Sequence, residues 1–180
     1  MKKLITLFTV LINTQQTFAQ PMNTTNEALI TQFYTAFAQR NAEVMASCYT
    51  NDVVFTDPAF GVLTGDSAKS MWRMLCASEK AQLQVTFDCV TANDSTGSAN
   101  WTANYLFSKT GRKVTNHVSA RFEFKNGKIS KHTDSFNFWK WSRQALGFAG
   151  YVLGWTNFLK TKVSQGANAS LADFTKNTKQ

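Results

Sequence analysis

Three ionisable side chains sit at positions suited to proton chemistry. Asp57 lies in VVFTDPAFGVLTG, residues 53–65, and His132 and Asp134 lie in GKISKHTDSF, residues 127–136. The first stretch begins as a β-branched and aromatic run, the composition of a strand. Pro58 cannot donate to a ladder, so regular pairing is disturbed just after Asp57. An acid at a strand end beside Phe60 suits a general base, because apolar neighbours raise a carboxyl pKa towards neutrality. The same residues equally describe an Asp-Pro turn in which the carboxylate serves the local backbone. His132-Thr133-Asp134 reads either as an imidazole orienting an acid/base carboxylate or as a hydrogen-bonded polar pair within a sheet.

The faces of the strands decide where that second cluster points. Val114, Asn116, Val118, Ala120, Phe122 and Phe124 alternate with Thr115, His117, Ser119, Arg121 and Glu123. His117 therefore falls on the outer face and is read as structural. The hairpin that follows turns through Lys125-Asn126-Gly127. A loop of Asn126-Gly127 alone sets Lys131 opposite Phe122 on the apolar side. A three-residue loop with left-handed Gly127 shifts the pairing by one. Ala120 then faces His132, Val118 faces Asp134, and Lys131 falls opposite Arg121 outside. A buried ammonium costs far more than an exposed like-charge pair, so the three-residue loop is expected, with Ile129 outward.

Helices must carry the opposite wall. Thr24-Thr25-Asn26-Glu27 forms a capping box, and Leu29, Phe33 and Phe37 recur at helical spacing beyond it. A short helix after Asn41 buries Val44, Met45 and Cys48. A third, capped by Asp66 or Ser67, has Ala68, Met71, Trp72 and Leu75 on its inner stripe. Alternating strands then run from Leu83, Trp101, Val114 and Lys128 with turn signals between them. Helices first and a meander of long strands after is an α+β pattern.

TDPAFG preceded by an amphipathic helix resembles the ketosteroid isomerase and SnoaL-like branch of the nuclear transport factor 2-like (NTF2-like) superfamily. The resemblance covers residues 23–139 and implies an NTF2-like cone, a curved, mostly antiparallel sheet wrapped around helices with a pocket at its mouth. It implies Asp57 as a proton-abstracting base. It also aligns His132-Thr133-Asp134 with the His-x-Asp of SnoaL-like cyclases, whose aspartate is the acid/base residue. Phe33, Phe37, Phe60, Trp72, Val118, Ala120, Phe122 and Phe136 are the expected pocket lining. Two family patterns are departed from. Phe33 stands where the isomerase has its enolate-holding tyrosine, and Ala120 stands near its second donor, a protonated acid. The arginine and acids of limonene-epoxide hydrolase are not matched either, with Ala120 and Asn137 near two of the acids. The function implied is proton transfer of isomerase, cyclase or hydrolase type on an apolar small molecule. The alternative is a non-catalytic ligand-binding or dimerisation module.

Composition limits the other classes. The chain has 180 residues and a net charge of +8, enough for one domain with a core. Nine basic residues between Lys109 and Arg143 face only Glu123 and Asp134, but they alternate with core positions, so no nucleic-acid partner is expected. No run approaches the ~18 apolar residues of a membrane span. No phosphate loop or metal-ligand spacing is visible, so no cofactor and no metal are expected. Cys48, Cys76 and Cys89 are read as core thiols, and their odd number argues for a reducing compartment. The apolar segment 138–159, which runs from the end of the domain into a C-terminal extension at 140–180, is expected to be helical. It would pack over the pocket mouth or across a homodimer interface, or else lie on a membrane surface. The last dozen residues are expected to form a short helix at most.

Residues 1–20 carry a basic start (Lys2-Lys3), the apolar stretch Leu4–Ile12 and small residues at Thr17 and Ala19, the pattern of a secretory signal peptide. The expected location is periplasmic or secreted, the alternative a cytoplasmic protein starting at Met22. Mass spectrometry of protein from the native cell distinguishes them. An exported chain begins near Gln20 or Pro21, whereas intact Met1, or a start at Met22 in the cytoplasm, contradicts export.

Overall fold

The structure is a computed structural model and describes residues 25–178; the leader and Thr24 of the capping box lie outside them. Two helices, α1 (Thr25–Ala38) and α2 (Ala42–Cys48), lead into the hairpin β1 (Tyr49–Asp57) and β2 (Gly61–Thr64). Helix α3 (Asp66–Ala77) follows, and then the meander β3 (Gln84–Ala92), β4 (Thr96–Phe107), β5 (Arg112–Lys125) and β6 (Lys128–Ser135). Three helices close the chain: α4 (Phe138–Leu146), α5 (Phe148–Leu153) and α6 (Asn157–Asn177). The six strands form one curved α+β sheet in the order β2-β1-β6-β5-β4-β3. All pairs are antiparallel except β1 with β6, which are parallel.

The core lies between the concave face and the first three helices. Ile30, Phe33, Tyr34 and Phe37 recur at i, i+3, i+4 and i+7 on α1 and are fully or almost fully buried. They meet Trp72 of α3, Phe55 of β1 and Phe122 of β5. On the inner faces of β4 and β5, alanines at 99, 103 and 120 leave room that larger side chains would fill.

The β5–β6 hairpin differs from the expected geometry. Asn126 and Gly127 both have positive φ, 53° and 71°, and Lys125 pairs with Lys128, so the loop has two residues. The extra residue is Ser130, a bulge within β6 between Phe124↔Ile129 and Glu123↔Lys131. His132 therefore pairs with Phe122 and not Ala120, and Asp134 pairs with Ala120 and not Val118. Lys131 lies opposite Glu123 and pairs with it at 2.9 Å. Ile129 is buried, not outward. The bulge lets both Ile129 and His132, three residues apart, face the core. His132 and Asp134 reach the inner side, but by a different irregularity from the one expected.

Other expectations are corrected. Cys89 is exposed, with φ +51°, at a bulge that interrupts the alternation of β3, whereas Cys48 and Cys76 are buried. The chain's end is not a short helix: α6 runs for 21 residues. No side chain caps α3; the N-cap is Gly65, at φ 51° and ψ −122°. That conformation is open essentially to glycine alone, and a Cβ there would lie 2.9 Å from the Asn51 carbonyl oxygen. Gly65→Ala is expected to destabilise the fold by about 1–3 kcal/mol, read as a lowered midpoint in urea; an unchanged midpoint would show that the turn relaxes freely.

Candidate active site

A cavity of about 470 Å³ opens between the sheet, α1, α3 and α6, within the range of small-molecule sites. Its wall is mostly apolar: Phe37, Trp72, Trp101 and Phe136 line it together with Leu159 and Val163 of α6. Asp57 and Asp134 are the two carboxylates on the wall. The β1–β6 ladder runs Phe55↔His132 and Thr56↔Thr133. Asp57 and Asp134 stand one step further along, on parallel strands ~5 Å apart.

Asp134 is held by a buried chain of hydrogen bonds. Its Oδ1 lies 2.9 Å from His132 Nε2 and 3.2 Å from Trp101 Nε1. His132 Nδ1 lies 2.7 Å from the Tyr49 hydroxyl, which accepts from Trp72 Nε1 at 2.9 Å. An indole N–H only donates, so Tyr49 accepts from Trp72 and Asp134 accepts from Trp101. The imidazole bridges the two, with Nδ1 on the Tyr49 hydroxyl and Nε2 on the Asp134 carboxyl group. Burial, and after it the Asp134 charge, push the Tyr34 and Tyr49 hydroxyls well above their ordinary pKa, so both stay protonated.

Asp57 is both a turn residue and a cavity residue. Its Oδ1 accepts from the backbone N–H groups of Ala59 and Phe60, the local role that an Asp-Pro turn implies. Burial raises its pKa to about 6, with the Asp134 charge adding to the rise and the backbone hydrogen bonds opposing it. Helix α6 secures the same turn from outside, because Asn168 Nδ2 (2.9 Å) and Ser164 Oγ (3.3 Å) both donate to the Phe60 carbonyl.

Of the expected lining residues, Phe37, Phe60, Trp72 and Phe136 border the cavity. Phe33, Val118, Ala120 and Phe122 are buried but lie outside its wall. Phe33 packs edge-on against Trp72 and the His132 ring, and the Phe122 ring lies tilted beside His132, with centroids 4.4 Å apart. His132 itself is wholly buried and supports the site from behind. The phenol of α1 that points towards the site belongs to Tyr34, whose hydroxyl is 3.5 Å from His132 Nε2.

Sequence reasoning did not single out Tyr49, Trp101 or Tyr105. Tyr105 lines the cavity, and its oxygen accepts from Trp141 Nε1 of α4 at 2.8 Å. That bond leaves the phenol proton available as a donor. Burial raises its pKa to about 12 although the Trp141 bond opposes the rise, and the Asp57 charge adds to it. The alternation of Trp101, Ala103 and Tyr105 was a usable signal, since it places all three on one face.

The protonated form of Asp57 is favoured by folding, so its contribution to stability is fully present below pH 3.8 and is lost as pH rises towards 6. The change from 3.8 to about 6 corresponds to roughly 3 kcal/mol at most. Asp57→Asn keeps the turn acceptor and removes the charge. The variant is expected to melt above the parent at pH 7.5 and level with it near pH 4; a pH-independent difference would show that the Asp57 carboxyl is not strained by burial.

The comparisons with known proteins agree with this architecture. The family model described as the SnoaL-like domain matches residues 30–132. An LEH-like epoxide hydrolase from M. tuberculosis superposes with a TM-score of 0.58 at 16% identity, over 72% of this chain and 96% of its own. A protein described as a candidate polyketide cyclase from Silicibacter sp. gives 0.58 at 18% identity, over 68% of this chain and 96% of its own. A Catenulispora acidiphila protein with a ketosteroid isomerase-like fold, in complex with trimethylamine, gives 0.56 at 14% identity, over 65% and 91%. At these identities the likeness shows a shared NTF2-like fold. Among curated proteins none matches.

Proposed function

The chain belongs to the SnoaL-like domain family, and from that premise we propose that its cavity binds one apolar small molecule and that Asp134 and Asp57 transfer protons on it. The observation that carries this reading is the buried Trp72–Tyr49–His132–Asp134 chain, which ends on a carboxylate at the cavity wall. Three residues aligned in series behind one carboxyl group are more than a sheet position needs. A carboxyl group held by directed hydrogen bonds in an apolar wall is suited to act as a base.

In this reading Asp134 takes a proton from a carbon beside a carbonyl, or from water, and becomes the neutral acid. Negative charge then develops on the ligand oxygen, and the Tyr105 proton is available to stabilise it. Asp57, titrating near neutrality, returns or accepts a second proton on the adjacent strand. His132 is a positioning residue: it holds Asp134 through Nε2 and touches no ligand. The domain of residues 23–139 is completed by the extension at 140–180, because α4 holds Tyr105 and α6 supplies the outer wall. A binding module without chemistry is the second reading, favoured by the commitment of the Asp57 carboxylate to its turn.

The experiment is a thermal-shift screen of apolar cyclic carbonyl compounds, with turnover of each stabilising compound followed by mass spectrometry. Asp134→Asn is expected to lower turnover by ~10²–10⁴ with affinity nearly unchanged, since the shape is kept. Tyr105→Phe is expected to cost ~10²–10³ in turnover. Turnover that survives Asp134→Asn makes that carboxylate structural. Compounds that bind without turnover leave the binding module, and a screen in which nothing binds removes both readings.

A further inference from the structure

The segment from α5 into α6 has its amphipathicity inverted. Phe148, Tyr151, Val152 and Trp155 are spaced i, i+3, i+4 and i+7, the stripe a helix normally buries. Here that stripe faces solvent: Phe148 is 83% exposed, Trp155 70%, Tyr151 60%, and Phe158 at the start of α6 is 63% exposed. The inner face is glycine. A Cβ on Gly150 would lie 1.9 Å from the Ser142 carbonyl oxygen, and one on Gly154 would lie 2.1 Å from Ser142 Oγ. The two glycines therefore let α5 sit flush on α4 with its aromatic side outward. Trp139 extends the surface, donating from Nε1 to the Tyr151 carbonyl at 3.2 Å, with the Arg143 guanidinium 4.4 Å from its ring centre.

The charge around this face has one sign. From Ser135 to Ala172 the chain contains no Asp or Glu, while Lys140, Arg143, Lys160 and Lys162 all fall within it. Among the described residues none of these four forms an ion pair with a carboxylate. Lys162 lies 5.9 Å from the Phe158 ring and also borders the cavity. Exposed aromatic rings beside long cationic side chains suit a bilayer interface, where the rings enter the headgroup boundary and the cations meet anionic lipid. A second copy of the chain fits less well, because a two-fold interface would set this basic rim against itself.

We propose that α5 and the start of α6 dock this protein on an anionic lipid surface. The proposal does not depend on what the cavity binds. No helix among the described residues is long and apolar enough to cross a membrane, so the contact is interfacial. The test is flotation of the full chain with vesicles of phosphatidylcholine, with and without about 30% phosphatidylglycerol, so that residues 1–20 are common to every arm. The parent is expected to float with anionic vesicles and ~10-fold less with neutral ones. Phe148→Ser/Trp155→Ser should reduce partition ~10-fold with an unchanged melting midpoint. Should that variant fail to fold, Lys160→Gln/Lys162→Gln is the substitute, with a ~10-fold loss expected on anionic vesicles only. Equal flotation of parent and variant overturns the proposal. So does a parent that stays off vesicles, and a dimer that the double variant abolishes would then identify a second copy as the occupant.

Discussion

The structure depends on satisfying one carboxyl group buried inside an aromatic core. Removing a carboxyl group from water without partners costs several kcal/mol. His132 Nε2 and Trp101 Nε1–H supply two partners on Oδ1. The imidazole is itself fixed by Tyr49, and Tyr49 by Trp72. The links come from four elements: α3 gives Trp72, β1 gives Tyr49, β6 gives His132 and Asp134, and β4 gives Trp101. The network can form only once the parallel β1–β6 pair and α3 are in place. A partly formed core would leave indole and phenol protons unpaired at ~1–3 kcal/mol each, which makes the polar chain a check on the register of the whole cone.

Much of the cone was legible in the sequence because it is written in local periodicity. The α1 stripe, the alternation of β5 and the turn at Asp57-Pro58 are short-range patterns, and the corresponding elements lie where those patterns put them. The inward face of His132 and Asp134 was also legible, although by a faulty route. The energetic rule that lysine avoids the core held at Lys131, but the irregularity that satisfies it is Ser130 in the strand, not an enlarged loop. Both solutions shift the register by one residue. Only the pairing Phe124↔Ile129 across a two-residue turn distinguishes them, and no single residue type encodes that choice.

What was not legible is what depends on distant pairing. Tyr49 precedes His132 by 83 residues, and it reaches the imidazole only because β1 and β6 run side by side. Tyr105 becomes a held donor through Trp141 of an added helix. Helix α6 was underestimated because leucine and phenylalanine anchors are sparse in it. Its stability comes partly from polar contacts, such as Asn168 and Ser164 on the Phe60 carbonyl, which a hydrophobic pattern does not report. Cys89 misled for the opposite reason, since a bulge at a positive φ breaks an alternation that otherwise runs cleanly.

The two carboxyl groups on the wall are held by different means, and the difference follows from geometry. Asp134 is met by ring nitrogens of side chains that are themselves locked. Asp57 receives backbone N–H groups from a turn, yet burial outweighs them and its pKa rises to about 6. The neighbouring Asp134 charge pushes in the same direction. One acid held by side-chain partners and one with its pKa raised to about 6, on adjacent parallel strands, put two groups able to carry protons within one small ligand's width. The α6 helix bears on both properties at once: it excludes water from the wall, which raises the Asp57 pKa, and it grips the Phe60 carbonyl, which keeps that carboxylate aimed. A C-terminal extension that looks peripheral in the sequence is thus coupled to the electrostatics of the site through a single turn.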